Sequence, residues 1–249
     1  MTDNSHTALI RPMLEHFFRH QATRLIAVLT RFFGWGQLQL VEDMVQESLL
    51  DAFQCWQRHG IPECPEAWMH RIARNKVIDA LRRQGAELRA AVSRAGGDAA
   101  ADLQLDELFD DAVLADSELR MIFACCHPRL AAENRIALIL KILFAYSPAE
   151  VAEAIGASEA AVKKRLQRAK TELIDFQVTL DAPGPDEAVQ RLTAVHGVLR
   201  ALVQEANRGH LPVHVALAMR GEVLRLGRLL ASDRRYATAE TYSLLAQLV

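Results

Sequence analysis

The sequence predicts an all-α protein of two helical domains joined by an acidic linker, with a small helical extension after them. Three observations lead there. Ala, Leu, Arg, Glu and Gln abound, while only 12 Gly and 8 Pro interrupt 249 residues. That mixture favours helix and argues against a β-rich fold. Apolar residues recur three and four positions apart, the period of a helix with one buried face. Hydrophobic residues make up 51% of the chain, enough to furnish cores in one large domain or two small ones.

The first domain is expected over residues 9–84. Leu14, Phe17 and Phe18, then Leu25, Val28, Leu29 and Phe32, form a helical stripe that Gly34 and Gly36 interrupt. A second helix is expected over 40–57. Its apolar residues are Val41, Met44, Val45 and Leu49, and Glu42, Asp43, Gln46, Glu47 and Asp51 are assigned to its outward face. The stretch Arg58-His-Gly-Ile-Pro-Glu-Cys-Pro65 is rich in turn residues. Pro65 suits a first helical turn, so a third helix is expected over 65–83, burying Ile72, Ala73, Val77, Ala80 and Leu81.

Residues 85–118 change character. Between Ala95 and Leu119 there is no Lys, Arg or His, but there are eight acids: Asp98, Asp102, Asp106, Glu107, Asp110, Asp111, Asp116 and Glu118. With Gly96-Gly97 near its start, this reads as an acidic linker, which a plain solvated tether would also explain. Helical patterning resumes over 119–178. Ser147-Pro-Ala-Glu150 is a capping box with proline at the first helical position. A short helix then ends at Gly156, and Ser158 caps a second one over 159–175, which together make a helix-turn-helix. After Asp181-Ala-Pro-Gly-Pro185, residues 186–249 hold two or three amphipathic helices, marked by Leu192/Val195/Leu199/Val203, Val223/Leu224/Leu226/Leu229/Leu230 and Leu244/Leu245/Leu248. No motif there carries chemistry.

The formal net charge is −2, which taken alone argues mildly against nucleic-acid binding. Averages mislead when charge is segregated, because salt confines each patch to roughly 8–10 Å. On the helix over 159–175, Val162, Leu166, Ala169 and Leu173 fall on one stripe, while Lys163, Lys164, Arg165, Arg168 and Lys170 project mostly away from it. These five cations stand between Glu159 and Glu172 without an acid among them. A cationic face on the second helix of a helix-turn-helix suits the major groove, where arginine pairs with guanine and lysine neutralises phosphate. On the helix after Pro65, Arg71, Arg74, Asn75 and Arg82 lie within about 100° of one another at helical spacing, and the Asn75 amide suits base edges. Trp68 is expected in the core, the alternative being that it helps position a neighbouring single-stranded base. The acidic outward face of residues 40–51 suits a protein partner with a basic or polar surface.

Other classes find little support. No apolar run approaches the roughly 18 residues of a membrane span, so no membrane partner is expected. No signal peptide is visible, and a cytoplasmic protein is expected. Cys55, Cys64, Cys125 and Cys126 are expected as reduced thiols. Cys125, Cys126 and His127 cluster, as do Cys55, His59 and Cys64, but neighbouring cysteines on a helix point about 100° apart and suit one zinc ion poorly. No metal site and no cofactor are expected. Phosphate loops, nucleophile elbows and hydrolase histidine motifs are missing from the sequence, so no enzyme is expected.

In combination these stretches resemble one family, the extracytoplasmic-function sigma factors, which bind RNA polymerase core and direct it to promoters. Leu40-Val-Glu-Asp-Met-Val-Gln-Glu47 is similar to their polymerase-binding segment. Pro65-Glu-Ala-Trp-Met-His-Arg-Ile-Ala-Arg-Asn-Lys-Val-Ile-Asp-Ala-Leu-Arg-Arg83 is similar to the helix that meets the minus-ten element. Ser147-Pro-Ala-Glu-Val-Ala-Glu-Ala-Ile-Gly156 with the basic helix after it is similar to the minus-thirty-five reader. The resemblance implies that Asp43, Gln46 and Glu47 contact the polymerase. It implies that Arg71, Arg74, Asn75, Lys76 and Arg82 engage the minus-ten region, with the Arg58–Cys64 loop gripping an extruded base. Ser158, Glu159, Lys163, Lys164, Arg165 and Arg168 would dock on the minus-thirty-five element, and the acidic linker would thread a positive channel of the polymerase. Phe123-Ala-Cys-Cys-His-Pro128, Arg191-Leu-Thr-Ala-Val195 and Arg225-Leu-Gly-Arg-Leu-Leu230 resemble a subgroup with a longer helical C-terminal extension, which implies a regulatory role for residues 186–249. The rival reading is a stand-alone helix-turn-helix regulator whose other helices sense a ligand or dimerise. A sigma factor should bind duplex promoter poorly alone and strongly with core polymerase, whereas a regulator should bind its operator unaided.

Overall fold

A computed structural model describes residues 4–83 and 109–248. Among the described residues there are ten α-helices and no strand. They fall into two compact units, Met1–Ser117 and Glu118–Val249.

The first unit is built on α1 (Asn4–Phe33), α2 (Leu38–His59) and α3 (Pro65–Arg83), which pack pairwise. Gly34 ends α1: its N–H donates to the Thr30 carbonyl at 2.7 Å, and its φ of 82° is a conformation that side chains with a Cβ resist. A 3₁₀ turn, Trp35–Gln37, leads into α2. Leu25, Leu29, Leu38, Val41, Val45 and Met69 are fully buried between the helices. Phe18 stacks on Trp56 at 5.2 Å, and Trp56 meets Trp68 at 5.9 Å, so Trp68 belongs to an aromatic cluster joining all three helices.

Two elements differ from the sequence expectation. Glu42 is only 5% exposed rather than outward, because it sits four residues after buried Leu38 and three before buried Val45. Its position on the helix, not its charge, decides which way it faces. The second difference is the start of α4 (Asp111–Cys125), which takes in residues that composition assigns to the linker. Leu114 is fully buried, and Asp110 and Asp111 sit where acids favour a helix start. The rest of the acidic linker, residues 85–108, lies outside the described residues.

The second unit contains the end of α4, α5 (Ala132–Leu138), α6 (Pro148–Ile155), α7 (Glu159–Asp175), α8 (Pro185–Asn207), α9 (Val213–Ser232) and α10 (Ala239–Ala246). After α5 the backbone widens into one π-turn, Ile139–Leu143. The C-terminal helices share a core with the helix-turn-helix. α8 packs on α5 as well as on α9 and α10, and the Phe123 ring of α4 lies 4.5 Å from that of Tyr236. Gly227 lets α10 come close to α9, since a Cβ there would meet Leu245 Cδ2 at 2.8 Å.

Arg225 of α9 fastens the shared core. Its guanidinium donates to Glu118 at 2.6 Å, to Glu222 at 2.8 Å and to the Leu143 carbonyl at 3.3 Å. The Glu118 side chain is 3% exposed. Removing one partner of such a buried ion pair leaves an uncompensated charge, at a cost of about 3–5 kcal/mol. Arg225→Ala is therefore expected to destabilise the second unit by about that much in urea unfolding followed by circular dichroism. Glu118→Gln should cost less, because the amide oxygen still accepts.

All four cysteines are free thiols. Cys64 is exposed and Cys55 half-buried, whereas Cys125 and Cys126 are buried on α4 and just after it. Burial holds the Cys125 thiol well above its ordinary value and pushes Cys126 up to about 12. Since the thiolate is the reactive form, Ellman's reagent at mildly alkaline pH should modify Cys55 and Cys64 in the native protein. Cys125 and Cys126 should react only after unfolding.

Candidate nucleic-acid interface

In the second unit, local chemistry sets the helix-turn-helix. The Ser147 hydroxyl accepts from the Glu150 N–H at 3.2 Å, and the Glu150 carboxylate accepts from the Ser147 N–H at 2.7 Å. Pro148 occupies the first helical position. Gly156 closes α6 in the left-handed conformation, φ 63°, and the Ala157 N–H returns to the Ala152 carbonyl at 2.9 Å. Two residues later the Ser158 hydroxyl accepts from the Ala161 N–H at 3.2 Å and starts α7. Ser158 therefore serves as a cap, with its side chain exposed.

Val162, Leu166, Ala169 and Leu173 are buried along α7. Lys163, Lys164, Gln167 and Arg168 are exposed. Lys163 pairs with Glu159 at 2.7 Å, and Arg168, itself 76% exposed, pairs with Glu172 at 3.0 Å. Both are surface pairs within one helix, each worth about 0–1 kcal/mol. Arg165 is half-buried and is directed toward a groove between α7 and α8 instead of the open face.

In the first unit, Asp43, Gln46 and Glu47 are exposed on α2, and the Gln39 amide donates to Asp43 at 3.1 Å. On α3, Arg71 and Asn75 are exposed. The side chains of Arg74 and Arg82 lie outside the described residues. Lys76 is not on the open face. Its ammonium bridges Glu47 at 3.1 Å and Asp51 at 2.9 Å, bracing α3 against α2. Burial alone would lower its pKa, but Asp51 and Glu47 together hold it above the ordinary lysine value. Glu47 and Asp51 are one turn apart on α2, a spacing visible in the sequence, but only the α2–α3 packing brings Lys76 to them.

Two linker acids are also engaged. Asp111 accepts from Arg24 of α1 at 2.6 Å, and Asp116 pairs with Arg31 at 2.9 Å. The Arg24 hydrogen bond and its charge hold the Asp111 carboxyl below its ordinary range. Among the described residues, no group of three or more His, Cys, Asp or Glu side chains is placed to hold a metal ion, and no helix is long and apolar enough to cross a membrane.

Residues 17–87 match the family Sigma-70 region 2, and residues 120–173 match Sigma-70, region 4. Over 135 residues the chain is 32% identical to the ECF RNA polymerase sigma factor SigL of Mycobacterium tuberculosis, covering 54% of this chain and 72% of SigL. The chain belongs to the ECF sigma factor family. This ECF sigma factor is also 30% identical to SigG of M. tuberculosis over 174 residues, 61% of this chain and 47% of SigG. An uncharacterized protein of Rhizobium meliloti is 32% identical over 209 residues, 82% of this chain and 48% of that protein. The ECF sigma factor thus spans about half the length of these last two relatives. No solved structure matches it at a significant level.

The first unit of the ECF sigma factor carries a titratable group with a measurable signature. The His70 ring on α3 stacks on Phe109 at 5.5 Å. Burial, together with the nearby Arg24 charge, lowers its pKa below the usual histidine value, against a smaller opposing effect of Asp111. With the native pKa depressed, the unfolded chain takes up the proton first as pH falls through about 6.5. His70 therefore contributes its full stability above that pH and loses it below. All three Trp residues, Trp35, Trp56 and Trp68, belong to this unit, so their fluorescence reports its unfolding. The urea midpoint is expected to hold steady between about pH 7 and 8 and to fall below about pH 6.5, and His70→Phe should flatten that fall.

Proposed function

We propose that this ECF sigma factor binds RNA polymerase core through the outward stripe of α2 and directs it to promoters, with α3 at the minus-ten element and α7 at the minus-thirty-five element. The observation that carries the reading is the division of α7. Its apolar stripe is buried, and Lys163, Lys164 and Arg168 stand on the solvent side behind a capped N-terminus. A helix of that kind is what the major groove admits. Arginine paired bidentately with guanine is worth about 1–3 kcal/mol of discrimination. That exceeds the about 0–1 kcal/mol of the Arg168–Glu172 surface pair, so the exchange favours DNA.

Asp43, Gln46 and Glu47 supply the polymerase contact, and Arg71 and Asn75 the open part of the minus-ten contact. Lys76 acts from behind them by holding α3 on α2. The acidic linker occupies a positive channel of the polymerase, where repeated carboxylates stand in for phosphates. The C-terminal helices regulate the minus-thirty-five reader through the core they share with it. The chain works in the cytoplasm and performs no chemistry of its own.

Run-off transcription with purified core polymerase, paired with gel shifts of the chain alone, tests the proposal. The chain alone should bind duplex promoter weakly, and the complex with core should bind it strongly. Asp43→Arg should abolish co-purification of core while leaving the helical content unchanged. Arg168→Ala should weaken promoters that depend on the upstream element by about 1–3 kcal/mol. Tight operator binding without polymerase would establish the stand-alone regulator instead.

A further inference from the structure

We infer that the hairpin between α8 and α9 makes a second contact with DNA, in which Arg208 and Arg220, with His210 beside them, grip the phosphate backbone flanking the minus-thirty-five element. The inference rests on the reading of α7 as the DNA-facing helix.

Arg165 supplies the starting point. It turns from the open face of α7 into a groove of about 390 Å³, whose lining also includes Glu133, Ile155, Leu202, Glu205 and Arg208. The last turns of α8 therefore stand directly beside the recognition helix. Arg208 is 65% exposed there, with Glu205 as its partner at 2.6 Å. Gly209, at φ 79°, turns the chain straight after α8 and brings His210 back to within 3.1 Å of the same carboxylate. From α9, Arg220 donates to the Asn207 side-chain carbonyl at 3.3 Å and closes the hairpin. One acid, Glu205, is thus shared by two basic side chains at the tip, and a third stands next to them.

In the groove itself Arg165 and Arg208 balance Glu133 and Glu205, and Arg220, held against Asn207 at the hairpin, adds a further positive charge beside them. Arg165 springs from α7 itself, so the groove borders the basic face of that helix. A helix inserted in the major groove has a row of phosphates on either side. An element lying beside that helix meets the backbone and not the base edges. The hairpin therefore adds affinity and fixes register without reading sequence, and its contribution shrinks as salt rises.

The test uses the full chain with core polymerase on promoter fragments, with dissociation constants measured between about 50 and 200 mM salt. Arg208→Ala and Arg220→Ala should each weaken binding about three- to tenfold at moderate salt, by the same factor on promoters with different upstream sequences. Each should lower the slope of log affinity against log salt by about 1. Arg208→Lys should retain binding, and the melting curve of Arg208→Ala should match that of the parent. Unchanged affinity and slope, or a loss that depends on the upstream sequence, would overturn the inference. Tighter binding by Arg208→Ala would also overturn it and make the hairpin a shield over Arg165. If Arg168→Ala loses promoter binding while both hairpin variants keep it, the hairpin contact alone fails. If the parent chain forms no promoter complex with core, the proposed function falls with it.

Discussion

Arg225 reaches from α9 to Glu118 and to the Leu143 carbonyl, at the point where the backbone widens before the helix-turn-helix. Glu118 and Glu222 are both largely buried, and the guanidinium of Arg225 pairs with each of them. An ion cluster of this kind is weak support for stability in itself, because well-packed apolar groups could replace it. What it supplies is registry. The fork geometry of arginine admits one arrangement of three acceptors, and those acceptors belong to α4, α9 and the π-turn. The orientation of α9 on the helix-turn-helix side of the unit follows from that match, and the position of the α8–α9 hairpin follows from α9.

Charge segregation plays the corresponding part on the surface. The chain is nearly neutral overall, yet α7 keeps its acids at its two ends, where they form short-range pairs of small energy. Lys163 and Arg168 pair within their own helix, with Glu159 and Glu172. Lys76 is different in kind. Its two carboxylate partners come from α2, and it acts as a brace between helices.

Where structure is determined locally, the sequence was a good guide. The sequence predicts the second helix of the helix-turn-helix over 159–175 and it is found there, because Ser158 caps it and Gly156 stops the helix before it. The third helix of the first unit likewise starts at Pro65 and ends at Arg83. Where packing decides, the sequence was less informative. Glu42 looked outward because it is charged, but its helical phase buries it. For the linker acids Asp111 and Asp116, the sequence does not show which distant cations they meet. Their partners, Arg24 and Arg31, lie more than eighty residues away. Arg165 shared the basic pattern of its neighbours, and only the placement of α8 distinguishes it from them. The family resemblance implies a minus-ten contact for Lys76, while its pairing with Glu47 and Asp51 comes from the packing of α3 on α2, which a one-dimensional pattern does not show.

The common core of the helix-turn-helix and the C-terminal helices bears on how this protein can be engineered. The break at Asp181–Pro185 looks like a natural splice point, but Val195, Leu199, Val223 and Leu226 beyond it are fully covered. A chimera carrying the helix-turn-helix without those helices would inherit bare apolar surface and a Glu118 carboxylate that has lost Arg225. Such a graft would aggregate before its specificity could be measured. The smallest transplantable module therefore runs from α4 through α10.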